Sequence, residues 1–432
     1  MAPAFFHLTR TELERFRVNR SGPVEKRKVI AHLLAGCEPC RGSARELFFP
    51  RELDYTRMFD RLEGVFLDAE TAMRAERRRG EELWHLLEPL DATQRLLWVK
   101  NDPRLHVWGL YNLLVNEARK VIREDRGAAV GLYYLAWMIA QKLSPEVYGD
   151  TRVRDFQGSV AALLGNAKRL YGDLRGAEED LDRAEELLDL GTGDLLERAY
   201  LLAARATLKS ELGYFEDASA LFREAVSCAH QMGDLHLEGT YLIAWASSVG
   251  WVDPERGLEL AERGEARLQP GADPHLEIGA RHLKVFRMSE LGRTAEARSL
   301  LEEHRHLYES FPDPVTQGRL LRLEGHLACN EGNLEESERK FRDLVALYER
   351  HDFEFDLALA GVELSQVLSL RGKVAEAGAI LRGLYPFLES RKLHADILSS
   401  WIGLQEAVQR DAVQAQMFRD VAMTLRRKWL RR

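Results

Sequence analysis

About every 40 residues, from about residue 155 onward, the chain repeats a glycine followed five positions later by a small residue. The phrases are Gly172–Ala177, Gly213–Ala218, Gly292–Ala297, Gly332–Ser337 and Gly372–Ala377. A weaker copy, Val252–Gly257, fills the gap where another is due. Self-similarity at a fixed period marks a stacked helical solenoid, in which each unit buries its apolar face only against its neighbours. A chain of 432 residues exceeds what one compact core holds, and a solenoid has no such limit. Such a scaffold is built for recognition rather than chemistry.

The residues around each glycine place it in a helical hairpin. The glycine stands where a first helix must stop and turn back, which favours left-handed backbone and no side chain. Two positions on, Leu174, Phe215, Leu334 and Val374 are apolar, with Thr294 the exception. The small residue lets the second helix approach closely. One turn further along the same face stand Leu181, Phe222, Leu301, Phe341 and Leu381. Seven positions before the glycine lie Gly165, Ala206, Val285, Gly325 and Ser365, again mostly small.

These columns resemble the tetratricopeptide repeat, at a longer period than that family's 34 residues, a difference that longer helices would absorb. HEAT-like repeats fit the period better but not the recurring Gly-x4-Ala phrase. The resemblance implies an all-α solenoid of about six hairpins over residues 151–410, with the first helix of each lining a concave face. Anchored on the small residue of the first helix, that geometry selects a polar column of Asn166, Arg169, Thr207, Ser210, His282, Arg322, His326 and Gln366. As single residues these are ordinary solvated positions. As a set they suit peptide carboxylates or backbone carbonyls.

The rest of the chain is helical in character, with Arg, Glu, Leu and Ala at three- and four-residue spacing. Asp273-Pro274 and Asp313-Pro314 each pair a capping residue with proline at the first helical position. Residues 46–150 show no clear repeat, hold Trp84, Trp98, Trp108 and Trp137 and a loop at Lys100–Arg104, and read as a connecting or capping bundle. Residues 411–432 read as a terminal cap. Phe418, Val421, Leu425 and Leu430 share one face there, and Arg426, Arg427, Lys428, Arg431 and Arg432 form a basic end. The alternative is contact with a membrane surface or an acidic partner.

Composition is consistent with this plan. A hydrophobic fraction of 45% and a charged fraction of 30% describe a folded, soluble chain. Net charge of −8 argues against direct nucleic-acid binding. No apolar run reaches membrane-span length, residues 1–10 lack a signal-peptide core, and four cysteines make no disulfide framework, so a cytoplasmic protein is expected.

One motif carries sharper chemistry. His32-Leu-Leu-Ala-Gly-Cys37-Glu-Pro-Cys40 ends a helix expected to begin at Pro23. Gly36 would release the chain, and the two cysteines then fold into a knuckle able to reach one metal ion, with His32 as a third donor. His7 opens the preceding segment, Leu8–Phe16, which reads as a short amphipathic helix. Two cysteines and two histidines make a closed tetrahedral set typical of structural zinc. A redox pair is the other use of Cys-x-x-Cys, but it wants a βαβ context that is absent.

Residues from about 5 to 42 resemble the zinc-binding anti-sigma factor domain, in which an early histidine precedes a distant His-x3-Cys-x2-Cys. Here four residues, not three, separate His32 from Cys37, with Gly36 as the extra one. The resemblance implies a zinc module over residues 1–45 that wraps a sigma factor, held by His7, His32, Cys37 and Cys40, with redox sensitivity as in some members of that family.

Nothing else points to chemistry. Cys228 and Cys329 read as ordinary helix cysteines. His304 and His306 stand two apart, on different sides of a helix. No phosphate loop, nucleophile elbow or His-Glu-x-x-His occurs. The expectation is a non-enzymatic scaffold or regulator that binds a protein or peptide on the concave face and a second partner, such as a sigma factor, through the zinc module. The rivals are a sensor of a small peptide or metabolite that controls transcription or signalling, and an enzyme with an unfamiliar site in the tryptophan-rich region.

Overall fold

The computed structural model describes residues 7–18, 20–34, 37–48, 55–351 and 353–390, with single positions at 404, 417 and 421. Helices and their connections account for the described residues, among which there is no strand. The chain divides into two compact units, Met1–Ala75 and Glu76–Arg432. The division falls inside the stretch read as a connecting bundle, within one long helix.

The first unit holds α1 (Arg10–Arg17), α2 (Pro23–Leu34), α3 (Glu38–Phe48) and the first part of α4 (Tyr55–Leu87). Thr9 and Glu12 form a reciprocal capping box that starts α1. The unit's small core gathers Leu8, Leu13, Val29, Cys40 and Ala44, with Phe16, Leu33 and Leu47 at its edge.

The second unit opens with the end of α4, α5 (Ala92–Asn101), a 3₁₀ turn at Pro103–Leu105, α6 (Trp108–Val121) and α7 (Arg126–Ala140). Leu110, Leu114, Tyr133 and Ile139 are buried at its centre, with Trp84, Trp108 and Trp137 packed against them. These tryptophans are packing residues, whereas Trp98 is exposed. Helices α4 and α6 touch backbone to backbone: a Cβ on Gly109 would stand 1.7 Å from the Glu76 carbonyl oxygen. The N-cap Val107 has no side chain to bond the first turn of α6, so its N–H groups find partners elsewhere. Trp108 donates to Tyr148 Oη at 3.1 Å and Gly109 to Glu76 Oε2 at 3.2 Å. Past the single turn α8 (Pro145–Tyr148), α7 packs on the first helix of the repeats.

Six hairpins follow: α9 (Asp150–Tyr171) with α10 (Leu174–Asp189), α11 (Leu195–Glu211) with α12 (Phe215–Met232), α13 (Leu235–Val249) with α14 (Pro254–Glu265), α15 (Pro274–Glu290) with α16 (Thr294–Glu309), α17 (Pro314–Asn330) with α18 (Leu334–Arg350), and α19 (Glu354–Leu370) with α20 (Val374–Ser390). The five turn glycines sit at φ of 98°, 84°, 76°, 78° and 74°, the left-handed backbone the repeat requires. Ala177, Ala218, Ala297, Ser337 and Ala377 are fully buried, and so are the bulky residues one turn on. The column of small residues in the first helices is equally necessary. A Cβ at Gly165 would stand 2.9 Å from Leu181, and one at Gly325 the same distance from the Phe341 ring. Asp273 and Asp313 cap α15 and α17 ahead of their prolines.

The weaker copy forms its hairpin by other means. Gly250 ends α13 at φ −61°, not in the left-handed region. Gly257 replaces the usual alanine, and a Cβ there would stand 2.7 Å from the Gly250 Cα. Arg287 on α15 then donates to the Gly250 carbonyl at 2.7 Å, a cation at a helix C-terminus in place of the missing turn geometry.

Successive first helices from α9 to α17 touch one another, while successive second helices make no comparable contact. The stack therefore curves with its first helices on the inside. Positions 404, 417 and 421 are helical, and Leu404 and Val421 are buried against the core formed by α18 to α20. Phe418, Leu425, Leu430, the basic end and Gly36 lie outside the described residues. No described helix is long and apolar enough to cross a membrane.

Candidate functional sites

In the first unit the four residues singled out by sequence converge. One ligand atom from each of His7, His32, Cys37 and Cys40 lies within 4.8 Å of every other. His7 Nδ1 stands 3.2 Å from Cys37 Sγ and 3.6 Å from Cys40 Sγ. Tetrahedral zinc with Zn–S near 2.3 Å and Zn–N near 2.0 Å places its donors roughly 3.3–3.8 Å apart, so these separations fit. The Leu8 N–H donates to Cys40 Sγ at 3.2 Å, the outer-shell bond that steadies a thiolate. His32 Nε2 is buried with no hydrogen-bond partner, an orphaned donor or acceptor in a unit with little core to compensate it. The extra residue before Cys37 does not carry His32 out of reach.

In the second unit the inner helices carry the predicted polar column, and the structure shows how each member is engaged. Asn166 donates to Tyr200 Oη at 3.1 Å and accepts from Arg169, which is also ion-paired to Glu211. Thr207 returns its hydroxyl to the Ala203 carbonyl at 2.8 Å. His282 Nδ1 lies 3.2 Å from Tyr308 Oη, and its ring stacks on Phe286. Burial, and then the charges of Arg319, Arg322 and Arg287, push the His282 imidazole down to about 3, so it is neutral. Arg322 Nε donates to Glu363 at 2.9 Å, and His326 Nε2 stands 3.4 Å from the same carboxylate, edge-on to Phe286 and Phe341.

Arg322 and His326 are therefore not idle cations on a solvated face but one half-buried cluster with Glu363. Ser210 and Gln366 are half-buried, and their side chains make no hydrogen bond among the described residues. Two inner-wall residues fall outside the predicted column, Tyr200 and Arg319. They continue the same register one turn toward the helix start, thirteen positions before the turn glycine.

The remaining sequence candidates do not assemble into sites. Cys228 is buried and Cys329 half-buried, both as free thiols. Among the described residues, the N-terminal quartet is the one group of three or more His, Cys, Asp or Glu side chains placed to share a metal ion.

No family model matches the chain, and no curated protein sequence matches it significantly. Solved structures do. A Rap protein complexed with competence and sporulation factor aligns over 72% of this chain and 85% of its own, at 13% identity and a TM-score of 0.58. NprR in complex with its cognate peptide NprX aligns over 74% and 83%, at 15% identity and a TM-score of 0.50. At these identities the likeness establishes a shared helical-repeat fold.

Proposed function

We propose that the second unit is a peptide receptor, holding an extended segment along the inner face of α9 to α19, and that the first unit is a zinc-stabilised module for a second partner. The observation that carries the peptide reading is the inner wall itself. Its polar side chains are braced by partners within the protein, as in Asn166–Tyr200 and Arg322–Glu363, while the side chains of Ser210, Arg319 and Gln366 make no hydrogen bond or ion pair among the described residues. Packed helices stand about 8–10 Å apart, and an extended chain advances about 3.3 Å per residue. A bound strand would thus meet a new helix roughly every three residues. A small metabolite would reach one or two helices and leave the rest of the wall unused. The same fold in NprR is seen with its cognate peptide, which supports this choice.

In the first unit His7, His32, Cys37 and Cys40 would hold the zinc. Four protein donors close the coordination sphere, so the ion would cross-link α2 and the segments that open α1 and α3 rather than act on a substrate. A sigma factor is the partner that the ligand pattern of this module brings with it. The whole is a binding regulator, not an enzyme.

Purification from the native host without denaturant, followed by acid release and mass spectrometry, tests the peptide reading. A short peptide recovered near one per chain is the expected result. A metabolite in its place, or chains that carry nothing and bind no peptide from the host's low-mass extract, would overturn it.

A further inference from the structure

The inner wall changes character along its length. On α9 and α11 cation meets anion, Arg169 with Glu211. The matching leaves a spare acceptor there, the buried Glu211 Oε2, and a spare donor on α17. Arg322 gives its Nε to Glu363, but its Nη2 is buried and has no acceptor, in a side chain only 13% exposed. A buried guanidinium N–H without an acceptor is costly and leaves positive charge that a nearby anion would offset. One turn earlier on the same face, Arg319 is exposed and has no hydrogen bond or ion pair among the described residues.

The surroundings narrow what can enter. Tyr308 on α16 stands beside His282, and Arg322 lies over the Tyr348 ring of α18 at 5.9 Å. Among the described residues, three carboxylates matter for the charge balance here. Glu290 is held by Arg287, and Glu363 by Arg322 and His326. Asp356 on α19 bears on Arg322 and Tyr348 without pairing to either. At His282 the largest electrostatic influences all come from cationic or histidine side chains, which marks the Arg319 side of the wall as positive. With the Asp356 carboxylate bearing on Arg322 as well, a doubly charged phosphate would meet more repulsion than a single carboxylate.

Resting on the peptide reading above, we infer that exposed Arg319, with the Arg322 guanidinium behind it, anchors one carboxylate of the bound peptide, either its C-terminus or an acidic side chain. Arg319 makes the direct contact, a charge-assisted hydrogen bond of the strong kind, and Arg322, one turn on along the same face, adds its charge beneath it.

Three synthetic peptide mixtures, about 15 residues long so as to span the inner helices, test this with the full chain: a free-acid mixture lacking Asp and Glu, the same mixture amidated at the C-terminus, and an amidated mixture with one Glu. Bound peptides are separated by size exclusion and read by mass spectrometry. The free-acid or the Glu mixture should be retained, whichever matches the true source of the carboxylate, and the amidated mixture without Glu should not. Arg319→Gln should cut retention about tenfold or more, since it removes a charge-assisted contact, whereas Arg339→Gln on α18 should not. Equal retention of the amides that lack a carboxylate, or an Arg319→Gln protein that binds like the parent, would overturn the anchor and leave the peptide reading standing. Retention of none of the three would overturn both.

Discussion

Replacing Phe341 by alanine should loosen part of this protein and leave the rest intact. The ring is 1% exposed and wedged between α17 and α18. It lies against Gly325, where even a methyl would stand 2.9 Å away, and it meets His326 edge-on at 5.3 Å. Its core includes Leu344, Tyr348, Ala358, Val362 and Leu381, all from α18 to α20. Removing a buried phenylalanine costs about 3–5 kcal/mol, because backbones braced at Gly325 cannot collapse into the void. At about 1.4 kcal/mol per decade, amide exchange through openings of this region should accelerate from about a hundredfold to several thousandfold. Repeats couple only to neighbours, so acceleration should be concentrated in α16 to α20 and fade before α12. Hydrogen exchange read by mass spectrometry on parent and variant decides the matter. Uniform acceleration from α6 to α20 would refute the quasi-linear architecture, and no acceleration in α17 to α19 would refute the packing assigned to this ring.

The zinc reading predicts about one zinc per chain, lost in the Cys37→Ser, Cys40→Ser double variant. Structural zinc contributes on the order of 10 kcal/mol to small domains, so chelation should open residues 7–48 to protease while α9 to α20 stay helical. Metal-free protein with a protease-resistant first unit would contradict it. A pH prediction follows from Glu338, nearly buried and held by Arg342, Arg371 and Lys373. Burial alone would raise its pKa, but the hydrogen bonds from Lys373, Arg342 and Arg371 outweigh it and bring the carboxyl from 4.5 to about 2. A depressed carboxyl stabilises the fold above its unfolded pKa and loses that contribution as pH falls through the folded one, here from about 4.5 down to about 2. The contribution is about 3 kcal/mol. The difference in urea midpoint between the parent and Glu338→Gln should therefore be large at pH 7 and shrink steadily below pH 4.5. A pH-independent difference would show that the carboxylate's charge is not what matters.

The hairpins were legible because their determinants are local. A turn glycine needs its left-handed backbone whatever surrounds it, and Ala177 or Phe222 must face its own partner helix. The N-terminal quartet was legible for a similar reason, since Cys37 and Cys40 are close in sequence and His32 lies on the turn before. What the sequence concealed depends on contacts across the repeats. Arg322 and His326 look like free groups until Glu363, on the next hairpin's first helix, is brought beside them. Nothing in the repeat columns marks Arg287, yet it is buried, ends α13 and stacks beneath Trp251 at 4.9 Å. No local rule foretells that, because Arg287 bonds the Gly250 carbonyl 37 residues earlier, in the repeat whose turn glycine is replaced by Val252. Arg319 could have been found by extending the same column one turn toward the start of α17.

The central claim is that the ligand lies on the inner face of the solenoid. A photo-crosslinking residue, p-benzoylphenylalanine, placed at Gln366 on α19 or at Arg339 on the outer helix α18 tests it in the native host. Neither substitution breaks the core: Gln366 makes no hydrogen bond among the described residues, and Arg339 is exposed and paired only to Glu336 on its own helix. After illumination, mass spectrometry of the purified chain should find a short peptide joined at position 366 and none at position 339. Peptide captured at position 339 and not at 366, or no peptide at either while the parent co-purifies with one, would contradict the account.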